Sequence, residues 1–215
     1  MKDLKRDGFV AVLLAMTVLS FNAKAQFFNS WGIMGGGTLA KQKWEFSEPD
    51  VTQKKKNIIG FNVEVFAEFF THENFTWRTE IEYNKKGCLD KDSGNFKNKL
   101  SYLSWNNFIK IRTELFGGTP YLLLGPKLEY LLSQGTSSPP ITGNFNKFQL
   151  SPDAGLGWEF VVFTNVKPFL ELHYNPDIGL NAYKKDNLAI KNRAWELRIG
   201  LRFASARESC PKVYK

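Results

Sequence analysis

The stretch NRAWELRIGLRF, residues 192–203, alternates between apolar residues and charged or small ones almost without exception. Its apolar residues share one parity: Trp195, Leu197, Ile199, Leu201 and Phe203. Its charged and small residues share the other: Glu196, Arg198, Gly200 and Arg202. A period of two predicts a β-strand with two chemically different faces. In a soluble sandwich the apolar face would pack on a core, whereas in a membrane barrel it would face lipid and the charges would turn inward.

Eight segments of this kind follow one another along the chain, and each is ten to fourteen residues long. They are residues 31–40, 58–70, 75–84, 100–113, 121–132, 148–160, 166–175 and 190–203. Strands of soluble proteins are usually about five or six residues long, whereas a tilted strand needs about nine to eleven residues to cross a bilayer. Strand length therefore favours the membrane barrel over the sandwich.

The connections between these segments alternate in length. Three are short, at 71–74, 114–120 and 161–165, and four are long and polar, at 41–57, 85–99, 133–147 and 176–189. Outer-membrane barrels have short periplasmic turns and longer extracellular loops. The alternation thus predicts a barrel with both chain ends on the periplasmic side.

The N-terminal segment has the features of a secretory signal peptide. It begins with Lys2, Lys5 and Arg6, continues with an apolar stretch at 9–21, and ends in Ala23-Lys24-Ala25. Cleavage before Gln26 would remove residues 1–25; an uncleaved anchor is the alternative. We expect the barrel domain to span 26–203 and a periplasmic tail to follow at 204–215.

The fold prediction is all-β: an eight-stranded antiparallel up-and-down transmembrane β-barrel with a filled polar lumen. A barrel of this size has an interior that side chains fill, so buried charges must pair. The predicted lumen charge network comprises Glu64, Arg78, Glu80, Glu82, Lys110, Arg112, Lys127, Glu129, Asp153, Glu159, Glu171, His173, Glu196, Arg198 and Arg202, and Glu68 has the same parity. A soluble lipocalin-like barrel, with an apolar interior, and a small conducting porin are the alternatives.

The sequence predicts which lumen residues are cations and which are acids, but not which of them pair. The expected cations are Arg78, Lys110, Arg112, Arg198 and Arg202, and the expected acids are Glu64, Glu80, Glu82, Glu129 and Glu196. A closed lumen of this kind should not conduct ions.

Chemical motifs are scarce, so we expect no catalytic residues, no cofactor and no metal. His72 and His173 are too few and too far apart for a metal site. Ser151 and His173 share the inward parity on neighbouring strands, which leaves a barrel enzyme as an alternative, although no oxyanion-forming motif accompanies them. Cys88, placed in the second long loop, and Cys210, in the tail, should lie at opposite ends of the barrel and should not form a disulfide.

Charge indicates the surroundings of the barrel. The formal net charge is +8, and it becomes +6 without residues 1–25, which carry four bases and two acids. Lysines cluster in the predicted long loops, where outer-membrane lipid and anionic surface glycolipid are the expected partners. The sequence has no aromatic-basic recognition motif, so we expect no nucleic-acid partner.

Several segments together resemble a known family. They are IEYNKKG, YLSWNNFIKIR, PYLLLGPKLEYLL, DAGLGWEF, LELHYNPDIGLNAY and NRAWELRIGLRF. In order, from residue 31 to 203, they are similar to the small outer-membrane β-barrel family that includes PorT and is common in Bacteroidota. The resemblance implies an eight-stranded barrel in the outer membrane. It also implies a non-enzymatic role in protein export or envelope assembly through envelope or secretion proteins. A structural barrel of the OmpA or OmpX type and an adhesin are the alternatives.

Overall fold

The computed structural model describes residues 28–46, 55–70, 72, 74–90, 96–115, 117–136, 145–163, 165–176, 182–185 and 188–204. The predicted signal peptide lies outside the described residues. So does the predicted tail, except Ala204, which ends the last strand.

Eight long strands and two short ones make up the described chain. The long strands are β1 (Phe28–Phe46), β3 (Ile58–Phe69), β4 (Phe75–Asp90), β5 (Phe96–Arg112), β6 (Gly118–Thr136), β7 (Phe148–Phe160), β8 (Val166–Pro176) and β10 (Leu188–Ala204). The short strands are β2 (Lys55–Lys56), which pairs with β4, and β9 (Tyr183–Lys185), which pairs with β10. No described segment is a helix long and apolar enough to cross a membrane.

Each long strand pairs antiparallel with the next, and the first pairs with the last. The β1–β10 register runs from Ser30 opposite Ala204 to Phe46 opposite Leu188, which closes the sheet into a barrel. The three short connections, the start of β1 and the end of β10 lie at one end of the barrel, named here the short-turn end. The opposite end is the long-loop end. The predicted all-β, eight-stranded up-and-down architecture is confirmed.

The two faces of the opening stretch separate as a barrel requires. Ile199 is 67% exposed on the outer wall, whereas its neighbour Arg198 is 0% exposed inside. The same contrast recurs around the barrel, where the predicted outward apolar side chains are exposed or half-exposed and nearly all the predicted inward charges are buried. The apolar parity therefore faces out and the charged parity faces in.

The strands reach further toward the long-loop end than the sequence predicts. β1 continues to Phe46, six residues beyond the predicted end, and β4 continues to Asp90. β5 starts at Phe96, β6 ends at Thr136 and β9 lies within the fourth predicted loop, so parts of all four predicted long loops belong to the sheet. The barrel is taller than the predicted membrane-crossing segments.

Cys88 was assigned to a long loop, and this assignment is wrong. It lies in β4, is fully buried, and its thiol donates a hydrogen bond to Gln42 Oε1 at 3.0 Å. Cys210 lies outside the described residues, so the absence of a disulfide between the two cysteines stays a prediction.

The lumen at the long-loop end is apolar, which the prediction of a polar lumen missed. We name this cluster the apolar cap; its members are Trp44, Cys88, Leu100, Tyr102, Leu131, Phe145, Ala182, Tyr183, Leu188 and Ile190. A polar layer lies next to it along the strands, where Gln42 donates to Asn192 at 3.1 Å and Gln149 donates to the Tyr102 hydroxyl at 2.8 Å. The predicted filled lumen thus carries charged side chains together with two small buried apolar clusters, Met34/Phe66/Phe169 and Phe108/Tyr121/Leu123, and its largest apolar cluster lies at the long-loop end.

The ion-paired lumen as candidate functional site

Arg198 is the centre of the largest cluster of charges in the lumen. Its Nε lies 2.9 Å from Glu64 Oε1, and its two terminal nitrogens lie 3.3 Å from Glu80 and 3.4 Å from Glu82. Glu196, two residues before it on the same strand face, also pairs with it. Since all these side chains are buried, the guanidinium compensates carboxylates from three strands at once.

Lys127 approaches the same carboxylates from β6. Its ammonium lies 2.6 Å from Glu82 and 3.3 Å from Glu196. Oxygens of Glu64, Glu82 and Glu196 come within 4.8 Å of one another, a separation that could suit a metal ion. However, Arg198 and Lys127 already supply positive charge to this trio, so the geometry favours ion pairing over metal binding.

A second group of ion pairs lies toward the short-turn end and is centred on Glu68. This carboxylate lies 2.9 Å from the Lys110 ammonium and 2.6 Å from Arg202 Nε, and it accepts a hydrogen bond from Ser30 Oγ at 2.7 Å. Glu159 contacts Lys110 from the other side. Both carboxylates are therefore compensated within the lumen.

Arg78 connects charged and aromatic residues of the lumen. It lies 2.9 Å from Glu80 and 2.5 Å from Glu171, and its guanidinium carbon stands 3.8 Å above the Phe66 ring. Tyr121 donates its hydroxyl hydrogen to Glu171 at 2.6 Å. A guanidinium stacked on an aromatic ring is attracted to the ring even where water is excluded. Arg78 can therefore be packed against Phe66 inside the lumen.

The alternative of a Ser151/His173 enzyme finds no geometric support. His173 Nδ1 lies 2.9 Å from Asp153 and Nε2 lies 3.1 Å from Glu171, so carboxylates engage both ring nitrogens. Ser151 Oγ accepts a hydrogen bond from Asn175 at 2.8 Å. A general base needs a free ring nitrogen within reach of its nucleophile, and this imidazole offers none.

The observed network has two members beyond the predicted list, Glu68 and Lys86, and one predicted member, Arg112, is only half-buried at the last position of β5. Lys86 is buried, and its ammonium lies 2.8 Å from Glu129 and 2.6 Å from Asn175. It was missed because residue 86 lay in a predicted loop, although its inward parity continues that of Glu80 and Glu82.

The predicted pairing by sign was correct only in part. Arg78 and Arg198 contact acids of the predicted set, whereas Lys110 and Arg202 contact Glu68 and Glu159 instead. Glu129 pairs with Lys86. Partners depend on strand stagger, which parity does not reveal.

Glycines on the barrel wall make room for the large rings inside it. A Cβ on Gly157 would lie 2.2 Å from the Tyr121 ring, and one on Gly200 would lie 2.4 Å from the Phe169 ring. Any side chain at these positions would displace an aromatic ring from a filled interior. The lumen is thus filled by large aromatic rings that lie against glycines, which have no side chain.

A closed barrel with an apolar outer wall and a charge-filled interior defines the class of small membrane β-barrels. The chain belongs to the outer membrane protein beta-barrel domain family, whose sequence profile matches residues 20–184. It is an outer-membrane protein.

A solved structure shares this fold. OprG, an outer membrane protein from Pseudomonas aeruginosa, is 10% identical with a TM-score of 0.56, and the alignment covers 84% of this chain and 97% of that one. Neisserial surface protein A is 14% identical with a TM-score of 0.49, covering 81% of this chain and 97% of that one. A comparison with curated proteins finds no significant sequence relative. At 10% identity the likeness to OprG shows the fold alone.

Proposed function

We propose that this protein is a non-enzymatic, non-conducting barrel that acts through protein partners at its rims, in protein export or envelope assembly. The main support for this proposal is the filled lumen: buried ion pairs occupy the interior, and the apolar cap fills the long-loop end. If no solute can pass through the lumen, partners must bind at the rims or on the outer wall of the barrel. The arrangement at His173 supports the non-enzymatic part of the proposal.

The export role rests on the resemblance to the PorT-containing family of Bacteroidota described above. Where the structure describes them, the segments that carry this resemblance lie on β4 to β10, so the resemblance concerns most of the barrel wall. The same proposal includes the predicted signal peptide at 1–25, the barrel domain at 26–203 and the periplasmic tail at 204–215. The lumen charge network serves as its internal support rather than as a binding site.

Conductance tests the closed lumen. Purified barrel in a planar lipid bilayer should give no steady current, while a general porin in the same chamber gives its usual steps. A stable open channel in correctly folded protein would contradict the proposal and favour the small porin.

A deletion strain tests the role. Loss of exported cargo, together with envelope proteins that co-purify with the tagged barrel in mild detergent, supports export. Unchanged secretion without a partner would instead favour a structural barrel of the OmpA or OmpX type. Lipid changes rescued only by intact Ser151 and His173 would favour the enzyme.

A further inference from the structure

The outer wall of β3 to β6 carries a groove of about 570 Å³ near the long-loop end. Its lining combines apolar, small and cationic residues: Ile59, Phe61, Lys85, Lys99, Ser101 and Gly135. A groove on an outer-membrane barrel wall faces lipid or lipid headgroups rather than the lumen. Its occupant therefore depends on the depth at which it lies.

Aromatic residues mark that depth. Tyr83 lies beside Phe61, with ring centroids 5.9 Å apart, and Tyr130 lies 5.0 Å from Phe148. Tyrosines on a barrel's outer wall concentrate at the level of the headgroups. Lys85 follows two residues after Tyr83 on β4, toward the long-loop end, so the groove begins where the aromatic belt ends.

Two ammonium groups are available there. Lys85 and Lys99 are exposed, and neither forms an ion pair within the part of the chain that the structure describes. The Lys85 ammonium stands 4.7 Å from the centroid of the Phe61 ring, which holds it beside the groove. This differs from the lumen, where each lysine contacts a carboxylate.

The groove owes its depth to small residues and to an irregular strand pair. The β5–β6 register shifts between Ser101 and Tyr102, so one extra residue of β6 is accommodated there. Such bulges bend a strand and redirect its side chains. Gly135, opposite Lys99, adds no side chain to the groove, and a Cβ there would have nothing closer than 3.9 Å.

We propose that this groove binds the phosphorylated headgroup of an outer-leaflet lipid. Lys85 and Lys99 would contact the phosphate, Ser101 and Ser133 would donate hydrogen bonds to it, and Phe61 and Ile59 would contact the first carbons of an acyl chain. The occupant is anionic because the groove carries two exposed cations, and amphiphilic because an aromatic belt borders it. The site does not depend on the proposed export role.

The test uses purified full-length barrel, native mass spectrometry and lipid A, a bisphosphorylated acyl disaccharide, with its dephosphorylated form as the matched probe. In the double variant Lys85→Gln/Lys99→Gln, lipid A affinity should fall about fivefold for each ammonium, or about thirtyfold in all. The control variant Lys41→Gln/Lys184→Gln removes two exposed lysines from the same end of the barrel but outside the groove. It should retain the lipid A affinity of the unmodified protein.

A steric variant separates a shaped site from diffuse attraction. Gly135→Phe keeps both ammonium groups and fills the groove, so it should also lose lipid A while remaining heat-modifiable on gels. Dephosphorylated lipid should bind weakly to every form. The proposal is overturned if both double variants lose affinity equally, if Gly135→Phe binds normally, or if the barrel instead covers this wall by self-association.

Discussion

The two ends of the lumen follow opposite chemical rules on the same strands. Over most of its length the barrel is apolar outside and charged inside, as at Ile199 and Arg198. At the long-loop end it is polar outside and apolar inside, as at Lys99 and Leu100. We infer that the hydrocarbon layer surrounds only the first region, so the change of polarity marks the level at which the strands leave it.

The largest expected effect comes from leaving the central acids without their cation. Arg198→Leu should lower the free energy of unfolding by about 3–5 kcal/mol, because it leaves buried carboxylates uncompensated. Urea unfolding in lipid vesicles measures it. Arg193→Leu, an exposed arginine on the same strand, should change stability by under about 0.5 kcal/mol. Equal effects of the two substitutions would show that the lumen is hydrated rather than packed.

An arginine scan on the outer wall locates the membrane boundary. Ile199→Arg should cost about 2–4 kcal/mol if this residue lies near the bilayer midplane, whereas Ile59→Arg, in the lining of the groove, should cost at most about 1 kcal/mol. The same vesicle unfolding experiment reports both values. Similar costs at the two positions would mean that lipid covers the whole wall and that the inferred boundary is misplaced.

The apolar cap should behave as an ordinary protein core. Leu100→Ala should cost about 2–3 kcal/mol, because it removes a packed side chain and leaves a cavity. Lys97→Ala, on the outer face of the same strand, should have little effect. Fluorescence-monitored unfolding distinguishes them, and a neutral Leu100→Ala would argue that the cap is loosely packed.

Accessibility gives the smallest effect, a change of labelling without a change of stability. A maleimide that cannot cross the outer membrane should label Cys88 slowly on intact cells, because the thiol is enclosed by the cap. Lys43→Cys, introduced into a Cys88→Ser background, should label rapidly at the same end. Fast labelling of native Cys88 would show that the cap opens.

Much of the fold was predictable, because lipid outside and charge inside impose strict alternation. That rule identified the course of all eight long strands and the inward side of Glu64, Arg78 and Arg198. It failed beyond the aromatic belt, where polarity inverts while parity continues. Lys86 and Cys88 therefore appeared to lie in a loop. Ion-pair partners could not be predicted from the sequence, because the stagger between strands decides which inward residues meet. The pair of Lys110 and Glu159 is an example.

The seam between β1 and β10 has a consequence for how the molecule is made. The register there continues from Ser30 opposite Ala204 to Phe46 opposite Leu188, joining residues from the two extremes of the barrel sequence. A chain synthesised from one end cannot form this ladder until its final strand is available. Until then two long edges stay unsatisfied, and edges of that kind invite pairing with other chains. The ring can therefore close only after β10 is available, and the edges of β1 and β10 need protection from other chains until then.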